Sequence, residues 1–192
     1  MDNTKSKKVT LGDAKLYANE SRYNNYVENK MKVFRILFLI SAIASLISMF
    51  IIPMYKYEML GRKKGQTRII GSYTPEYIIE KYFNMTLGPH TIFNTGLVIA
   101  IVVMMILTLY LTVGAVLNLA AKKLMDSQGF VSRLFNYGLL EIIAVALFIC
   151  LFLTMVFCKV DVLGNAVNIE GFWIVFVGSI VMTCTSISLS TK

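Results

Sequence analysis

The sequence predicts an all-α membrane protein: a bundle of four transmembrane helices, with a small extracytoplasmic β-hairpin and a short helix between the first two. Four apolar runs carry this prediction, and they lie at about 33–52, 92–121, 139–158 and 172–189. A helix needs about 20 apolar residues to cross the hydrocarbon core of a bilayer. The composition agrees, since 56% of the 192 residues are hydrophobic and 16% are charged, which is too apolar for a soluble domain.

The polar segment 1–32 precedes the transmembrane domain 33–192, and we expect it to be cytoplasmic and partly helical. Thr10 is a candidate N-cap. Apolar side chains then recur at helical spacing as far as the first span: Tyr23, Tyr26, Val27, Met31 and Phe34. This stripe fits a docking or membrane-surface helix, or an extension of the first span that packs on residues 121–133. The segment is too long and too acidic to begin a cleaved signal peptide, so we expect the first span to be retained.

Small side chains stand four residues apart on the first span. Ser41 and Ser45 form one such pair, and Ala44 and Ser48 form another. Small residues at this spacing let helices approach closely in lipid. The pattern therefore predicts a helix contact, either inside one bundle or between copies of the chain.

The outer loop 53–90 carries the signals of a hairpin and a short helix. Two β-prone stretches, 54–60 and 66–73, flank a polar tip bounded by glycines, which favours a hairpin. Thr74 and Pro75 then resemble an N-cap and the first helical position of a short helix with one apolar face. By contrast, the connection 159–171 between the third and fourth spans is predicted to be a short loop.

The hairpin tip forms a candidate outer basic patch, made of Arg62, Lys63, Lys64 and Arg68. Such a patch can contact anionic headgroups or an acidic partner. A solvated tip with no partner is the plainer interpretation. The formal net charge of +8 likewise indicates contact with anionic headgroups and not with nucleic acid.

The positions of the basic residues predict the orientation. Lysine and arginine collect on the cytoplasmic flanks of transmembrane helices. Lys122 and Lys123 directly follow the second run, Arg133 precedes the third, and the segment 1–32 is also basic. We therefore expect a multi-pass protein of the plasma (cytoplasmic) membrane with both termini in the cytoplasm.

The predicted layout resembles that of the claudins: four spans, internal termini, a larger first outer loop with β-structure and a short helix, and a small second loop. The resemblance is one of topology. The claudin motif of a Trp, then Gly-Leu-Trp, then two Cys is absent from the first loop, and the one tryptophan, Trp173, begins the fourth span. The resemblance thus implies a tetraspan fold and transfers no functional residue. The general character of the sequence, including the stretches 171–174 and 178–180, is also similar to that of small bacterial four-span membrane proteins.

Glu141 is the most informative single residue, because an ionisable side chain inside a span is costly and is a functional candidate by default. Arg35 lies at a similar depth on the same side, just inside the first run. We expect the two to form an intramembrane ion pair, which would offset the desolvation of both. Two alternatives stay open: Glu141 reaches the interface and water, or it is a proton or cation site.

We expect no catalytic, cofactor or metal site. The three cysteines, Cys150, Cys158 and Cys184, lie in the spans or at their ends, and His90 has no neighbouring metal ligand. Hydroxyls on the second and fourth spans, such as Thr108 and Thr183, fit hydrogen bonds to the helix backbone or a water path in an oligomer.

The sequence contains no motif that names a reaction or a ligand. It favours a non-enzymatic protein that acts through protein–protein or lipid contacts, as an accessory subunit or scaffold of a membrane complex. The expected partners are the lipid bilayer with its anionic headgroups and a membrane protein or a second copy of the chain. The alternative is an oligomeric channel or small transporter.

Overall fold

The computed structural model describes residues 11–60, 67–85, 95–121, 129–157, 165–168 and 170–190. These ranges contain six helices: α1 (Leu11–Phe50), α2 (Pro75–Met85), α3 (Thr95–Ala120), α4 (Phe130–Leu134), α5 (Tyr137–Phe157) and α6 (Glu170–Ser190). They also contain three strands: β1 (Tyr55–Leu60), β2 (Thr67–Tyr73) and β3 (Asn165–Asn168).

Four helical stretches are long and apolar enough to cross a membrane. They are Arg22–Phe50 of α1, the whole of α3, the stretch Phe130–Val156 that includes α4 and most of α5, and α6. The predicted four-span layout of a multi-pass membrane protein is thereby confirmed.

The four long helices form a ring in which each packs against its neighbours in the chain. Helix α1 packs on α3 and α6, and α5 packs on the same two helices, so that α1 and α5 are diagonal to each other. Consecutive long helices thus lie side by side in the bundle.

The buried positions of the long helices are separated by alternating steps of three and four residues. On α3 they are Leu97, Ile101, Met104, Thr108, Leu111, Ala115 and Asn118; on α5, Leu140, Ala144, Leu147, Leu151 and Thr154; on α6, Phe172, Val175, Ser179, Met182, Ser186 and Leu189. A repeat of about 3.5 residues keeps one seam of each helix against its partners in a left-handed bundle. The opposite faces carry exposed aliphatic side chains such as Ile106 and Ile142, which suits a surface in contact with lipid.

Small residues bring α1 and α6 close together. A Cβ added to Gly178 would collide with the Ser45 hydroxyl. One end of the same interface is fixed by hydrogen bonds, since Ser48 Oγ donates to the Gly171 carbonyl at 3.0 Å and the Gly171 N–H donates to the Pro53 carbonyl at 3.2 Å. The small face predicted on the first span therefore packs inside the bundle.

The connection from α1 to α3 and that from α5 to α6 meet in a three-stranded antiparallel sheet of order β2-β1-β3. Strand β1 pairs with β2 from Tyr55↔Tyr73 to Leu60↔Thr67, with a bulge between Tyr57 and Glu58. On its other edge β1 pairs with β3 from Tyr55↔Asn168 to Glu58↔Asn165. The connection 159–171, expected to be a short loop, thus contributes a strand; four residues are too short a stretch to show a strand pattern by themselves.

Helix α2 begins as predicted. The Thr74 hydroxyl accepts a hydrogen bond from the Tyr77 N–H at 3.3 Å, which caps the helix, and Pro75 occupies the first helical position. Ile78 is buried against the bundle, whereas Tyr77 is exposed. The tip residues Arg62, Lys63 and Lys64, like His90, lie outside the described residues; of the basic patch, Arg68 is described as part of the β2 backbone.

Helix α1 continues without a break from Leu11 into the membrane span. Its 40 residues correspond to about 60 Å at 1.5 Å per residue, or about twice the thickness of a bilayer core. We call its first part, Leu11–Lys32, the N-terminal extension. The expected helix before the first span is therefore present.

Candidate functional site: the polar end of the bundle

Polar side chains from all four long helices gather at the end of the bundle opposite the sheet. They are Arg35 on α1, Asn118 on α3, Tyr137 and Glu141 on α5, and Ser190 on α6. We call this region the polar end. It is where the N-terminal extension leaves the bundle.

Glu141 is held by the last turn of α6. Ser190 Oγ donates a hydrogen bond to Glu141 Oε2 at 3.0 Å, and the Glu141 side chain is partly buried. This contact ties the start of the third span to the end of the fourth.

Arg35 reaches across the bundle to Tyr137. The guanidinium lies near the Tyr137 hydroxyl, and the Tyr137 ring packs edge-on against Phe38 with centroids 6.1 Å apart. The Arg35 Nε is buried and has no hydrogen-bond partner among the described residues. Arg35 therefore retains donor capacity that its described neighbours do not use.

The structure does not join Arg35 and Glu141 in the expected ion pair. Among the described residues, one ion pair has its nitrogen and oxygen within 4.0 Å. It joins Lys32 Nζ to Glu28 Oε1 at 3.4 Å, on the exposed surface of α1. Arg35 does reach α5, although α1 and α5 are diagonal in the ring, but it meets that helix at a different position. Tyr137 lies one turn before Glu141 on α5 and takes the position that faces Arg35.

The corner between α4 and α5 is bound to α3 by side chains. Asn118 Nδ2 donates to the carbonyls of Gly114 at 2.8 Å and of Phe135 at 2.7 Å. The Tyr110 hydroxyl donates to the Leu134 carbonyl, and its ring stacks on Phe135 with centroids 4.8 Å apart. These donors satisfy carbonyls that the break between the two helices leaves without an intrahelical partner.

Asn136 starts the third span. Its Oδ1 accepts a hydrogen bond from the Leu139 N–H at 2.8 Å, as an N-cap does, and its Nδ2 donates to the Arg133 carbonyl at 2.7 Å. The sequence analysis placed the start of this span near Leu139; the helix begins at Tyr137. The signal was present, because asparagine is among the preferred N-cap residues.

An open groove of about 640 Å³ runs along α1 at the polar end, beside the last turn of α3. We call it the α1–α3 groove. Its lining combines polar and apolar side chains: Asn24, Val27, Glu28, Met31, Lys32, Arg35, Ile36 and Leu119. The sequence analysis did not predict this groove, because Leu119 approaches α1 only in the folded bundle.

The hydroxyls of the spans bond mainly to their own helices. Thr108 Oγ1 donates to the Met104 carbonyl at 2.7 Å, and Thr183 Oγ1 donates to the Ser179 carbonyl at 2.8 Å. Thr112 Oγ1 donates to the Thr108 carbonyl at 2.8 Å and also contacts the Ala42 carbonyl of α1 at 3.3 Å. This arrangement is the backbone-bonding alternative of the two that the sequence left open.

The described residues offer no group of three or more His, Cys, Asp or Glu side chains that could hold a metal ion.

At the sheet end, Tyr73 stacks on Tyr77 with centroids 4.8 Å apart. Burial raises the pKa of the Tyr73 phenol, and repulsion from Tyr77 adds to the rise. This phenol therefore stays protonated at neutral pH.

Comparisons of the chain with protein-family models, with curated proteins and with solved structures find no match.

Proposed function

We propose that the chain is a non-enzymatic integral membrane protein that acts through protein–protein or lipid contacts, as an accessory subunit or scaffold of a membrane complex. One observation carries the proposal: two aromatic side chains of the N-terminal extension face solvent. Tyr23 and Tyr26 on it are 67% and 65% exposed. Large aromatic side chains on a free helix are suited to covering by a partner, since tyrosine is enriched in protein interfaces.

The energetics of the N-terminal extension support the same proposal. A helix of about 20 residues without tertiary packing is marginal in water. The pair of Lys32 with Glu28 is exposed on both sides and contributes little, about 0.3–0.5 kcal/mol. A docked partner would supply the packing that the bundle does not.

The proposed placement puts the N-terminal extension and both termini in the cytoplasm, in the plasma (cytoplasmic) membrane. The basic residues near the polar end, among them Lys30, Lys32 and Arg35, support it through the preference of cytoplasmic flanks for Lys and Arg. The sheet and α2 then lie on the outer side, as in the claudin-like layout. In this placement the small outer domain is extracytoplasmic.

Co-purification of the full chain in mild detergent tests the proposal. We expect wild type to migrate above its own detergent-corrected mass, with a membrane protein or a second copy in constant ratio. Replacing Tyr23 and Tyr26 together with serine should remove most of the bound partner. The matched control is the exposed pair Asn25 and Asn29 on the same extension, whose replacement with serine should leave the ratio unchanged.

Two outcomes would contradict the proposal. One is a lone monomer with nothing bound under the mildest extraction. The other is flux of ions or small solutes through liposomes that contain the purified protein, with a change in Glu141→Gln. That second result would favour the alternative of an oligomeric channel or small transporter.

A further inference from the structure

The α1–α3 groove combines cationic and apolar walls at the level where the first span begins. Arg35 and Lys32 supply its positive charge, while Ile36 and Leu119 supply apolar surface. We propose that this groove binds the phosphate of an anionic phospholipid of the same leaflet, with Arg35 as the principal donor. The inference rests on the membrane placement given under the proposed function and adds a specific lipid site to it.

The surroundings of Arg35 favour the binding of a phosphate. The Arg35 Nε is buried and has no acceptor among the described residues, so the described part of the chain leaves the donor capacity of the guanidinium partly unused. Arginine binds phosphate oxygens through parallel N–H donors, in charge-assisted hydrogen bonds. Because Arg35 lines the groove, a phosphate that enters the groove meets this side chain.

The depth of the groove matches that of a headgroup. From Asn24 to Ile36 the helix rises about 18 Å. The polar layer on each side of a bilayer core is about 5–8 Å thick, so the groove passes through this layer from the acyl boundary outward. A phosphate at Arg35 would leave the acyl chains beside Ile36 and Leu119, which are 46% and 44% exposed.

The charges of the groove favour an anionic lipid over a zwitterionic one. Lys32 lies one turn from Arg35, and a quaternary ammonium headgroup next to both cations would be repelled. Glu28 is paired with Lys32 at 3.4 Å and stands about 10 Å along the helix from Arg35. The carboxylate is therefore remote from a phosphate held by Arg35.

The test uses a tryptophan in the groove as the reporter. The native tryptophan is removed by Trp173→Phe, and Leu119→Trp is introduced on the wall. The protein is reconstituted in phosphatidylcholine vesicles, into which either brominated phosphatidylglycerol or brominated phosphatidylcholine is mixed. Both lipids carry a phosphate, so the preference comes from repulsion between the quaternary ammonium of phosphatidylcholine and the two cations; we expect the quenching curves to give about a tenfold preference for phosphatidylglycerol.

The variant Arg35→Gln should abolish this preference. Arg35→Lys should retain part of it, because lysine keeps the positive charge but lacks the planar guanidinium with its paired N–H donors. The matched control is Arg133→Gln, since Arg133 is exposed on α4 and does not line the groove. Its preference should equal that of the parent. If Leu119→Trp perturbs the wall, Ile36→Trp serves as a second reporter.

Three results would overturn the inference. Equal quenching by the two lipids would indicate a non-selective lipid contact, and a preference that survives Arg35→Gln would place the site elsewhere. Absence of quenching at both reporter positions would show that lipid does not enter the groove. None of these results affects the co-purification ratio of the Tyr23 and Tyr26 variants, so the two proposals fail independently.

Discussion

Gly171 lies where the start of α6 meets the end of α1, and its lack of a side chain sets how closely the two helices approach. A Cβ at this position would lie 2.6 Å from the Pro53 carbonyl oxygen and 3.0 Å from that of Ile52. Both atoms belong to the backbone, so neither can move aside as a flexible side chain would. The same backbone carries the hydrogen bond from Gly171 N–H to Pro53.

We expect Gly171→Ala to lower the free energy of unfolding by about 1–3 kcal/mol, because overpacking forces the backbone to shift. The midpoint of thermal unfolding in detergent measures the effect. Gly138→Ala is the matched control, since its Cβ would meet Asn136 Oδ1 at an ordinary 3.5 Å and alanine favours the helix. A Gly171→Ala midpoint equal to that of wild type would show that the two helices separate here without cost.

Arg35 and Glu141 show at the same scale what residue identity can and cannot predict. That both side chains need polar partners follows from the cost of burying charge. The partners that they find depend on how the helices pack. Arg35 contacts Tyr137, and Glu141 accepts a hydrogen bond from Ser190. Neither partner is recognisable from the sequence, because both come from helices distant in the chain.

The elements of this protein differ in how far the sequence predicts them. The long helices follow from length and apolarity alone, and α2 follows from Thr74 and Pro75. Strand β3 has no comparable signal, since its four residues gain their conformation by pairing with β1. The break between α4 and α5 lies between these cases: Asn136 signals a helix start, but the corner is held by Tyr110 and Asn118 of α3.

The pairing of β1 with β3 predicts a specific cross-link. Lys56 stands opposite Val167, and directly opposed residues on antiparallel strands have Cβ atoms about 4.5–5.5 Å apart, close to what a disulfide needs. In a Cys158→Ser background, Lys56→Cys with Val167→Cys should therefore form a disulfide under mild oxidation. A protease site inserted after Asp126 lies between the two cysteines in sequence. After cleavage, the disulfide keeps the two fragments joined on a non-reducing gel.

The control places the second cysteine out of register. Asn165 stands opposite Glu58 and not opposite Lys56, so Lys56→Cys with Asn165→Cys should cross-link much more slowly. Equal rates for the two pairs, or no cross-link in either, would contradict the register.

The whole molecule is a ring of four helices with distinct ends. The polar end gathers Arg35, Glu141 and the α1–α3 groove, and the opposite end carries the sheet and α2. Consecutive long helices run in opposite directions, so the connection from α1 to α3 and that from α5 to α6 emerge at the same end and can form one sheet. The N-terminal extension leaves from the other end.

The proposed orientation predicts which positions react with a membrane-impermeant maleimide. In a cysteine-free background, Gly65→Cys should be labelled on intact cells, whereas Ser6→Cys should be labelled only after lysis. Ile106→Cys, on the lipid-facing surface of α3, should stay unlabelled in both conditions. Labelling of Ser6→Cys on intact cells would reverse the orientation.

The four apolar helices, the helix before the first span and the capped α2 are all predictable from the amino-acid sequence alone. These features depend on contacts within one stretch of chain: hydropathy over about 20 residues, helical spacing and a local cap. They need no knowledge of neighbours.

Tertiary structure decided the rest: the pairing of β3, the separate partners of Arg35 and Glu141, and the groove between Leu119 and the first helix. Each depends on side chains brought together from distant parts of the chain by the ring order. In lipid the hydrophobic effect does not select among helix neighbours, and the choice falls to close packing and interhelical hydrogen bonds. The amino-acid sequence contains the residues that make these contacts, but which residue contacts which is established only in the packed bundle.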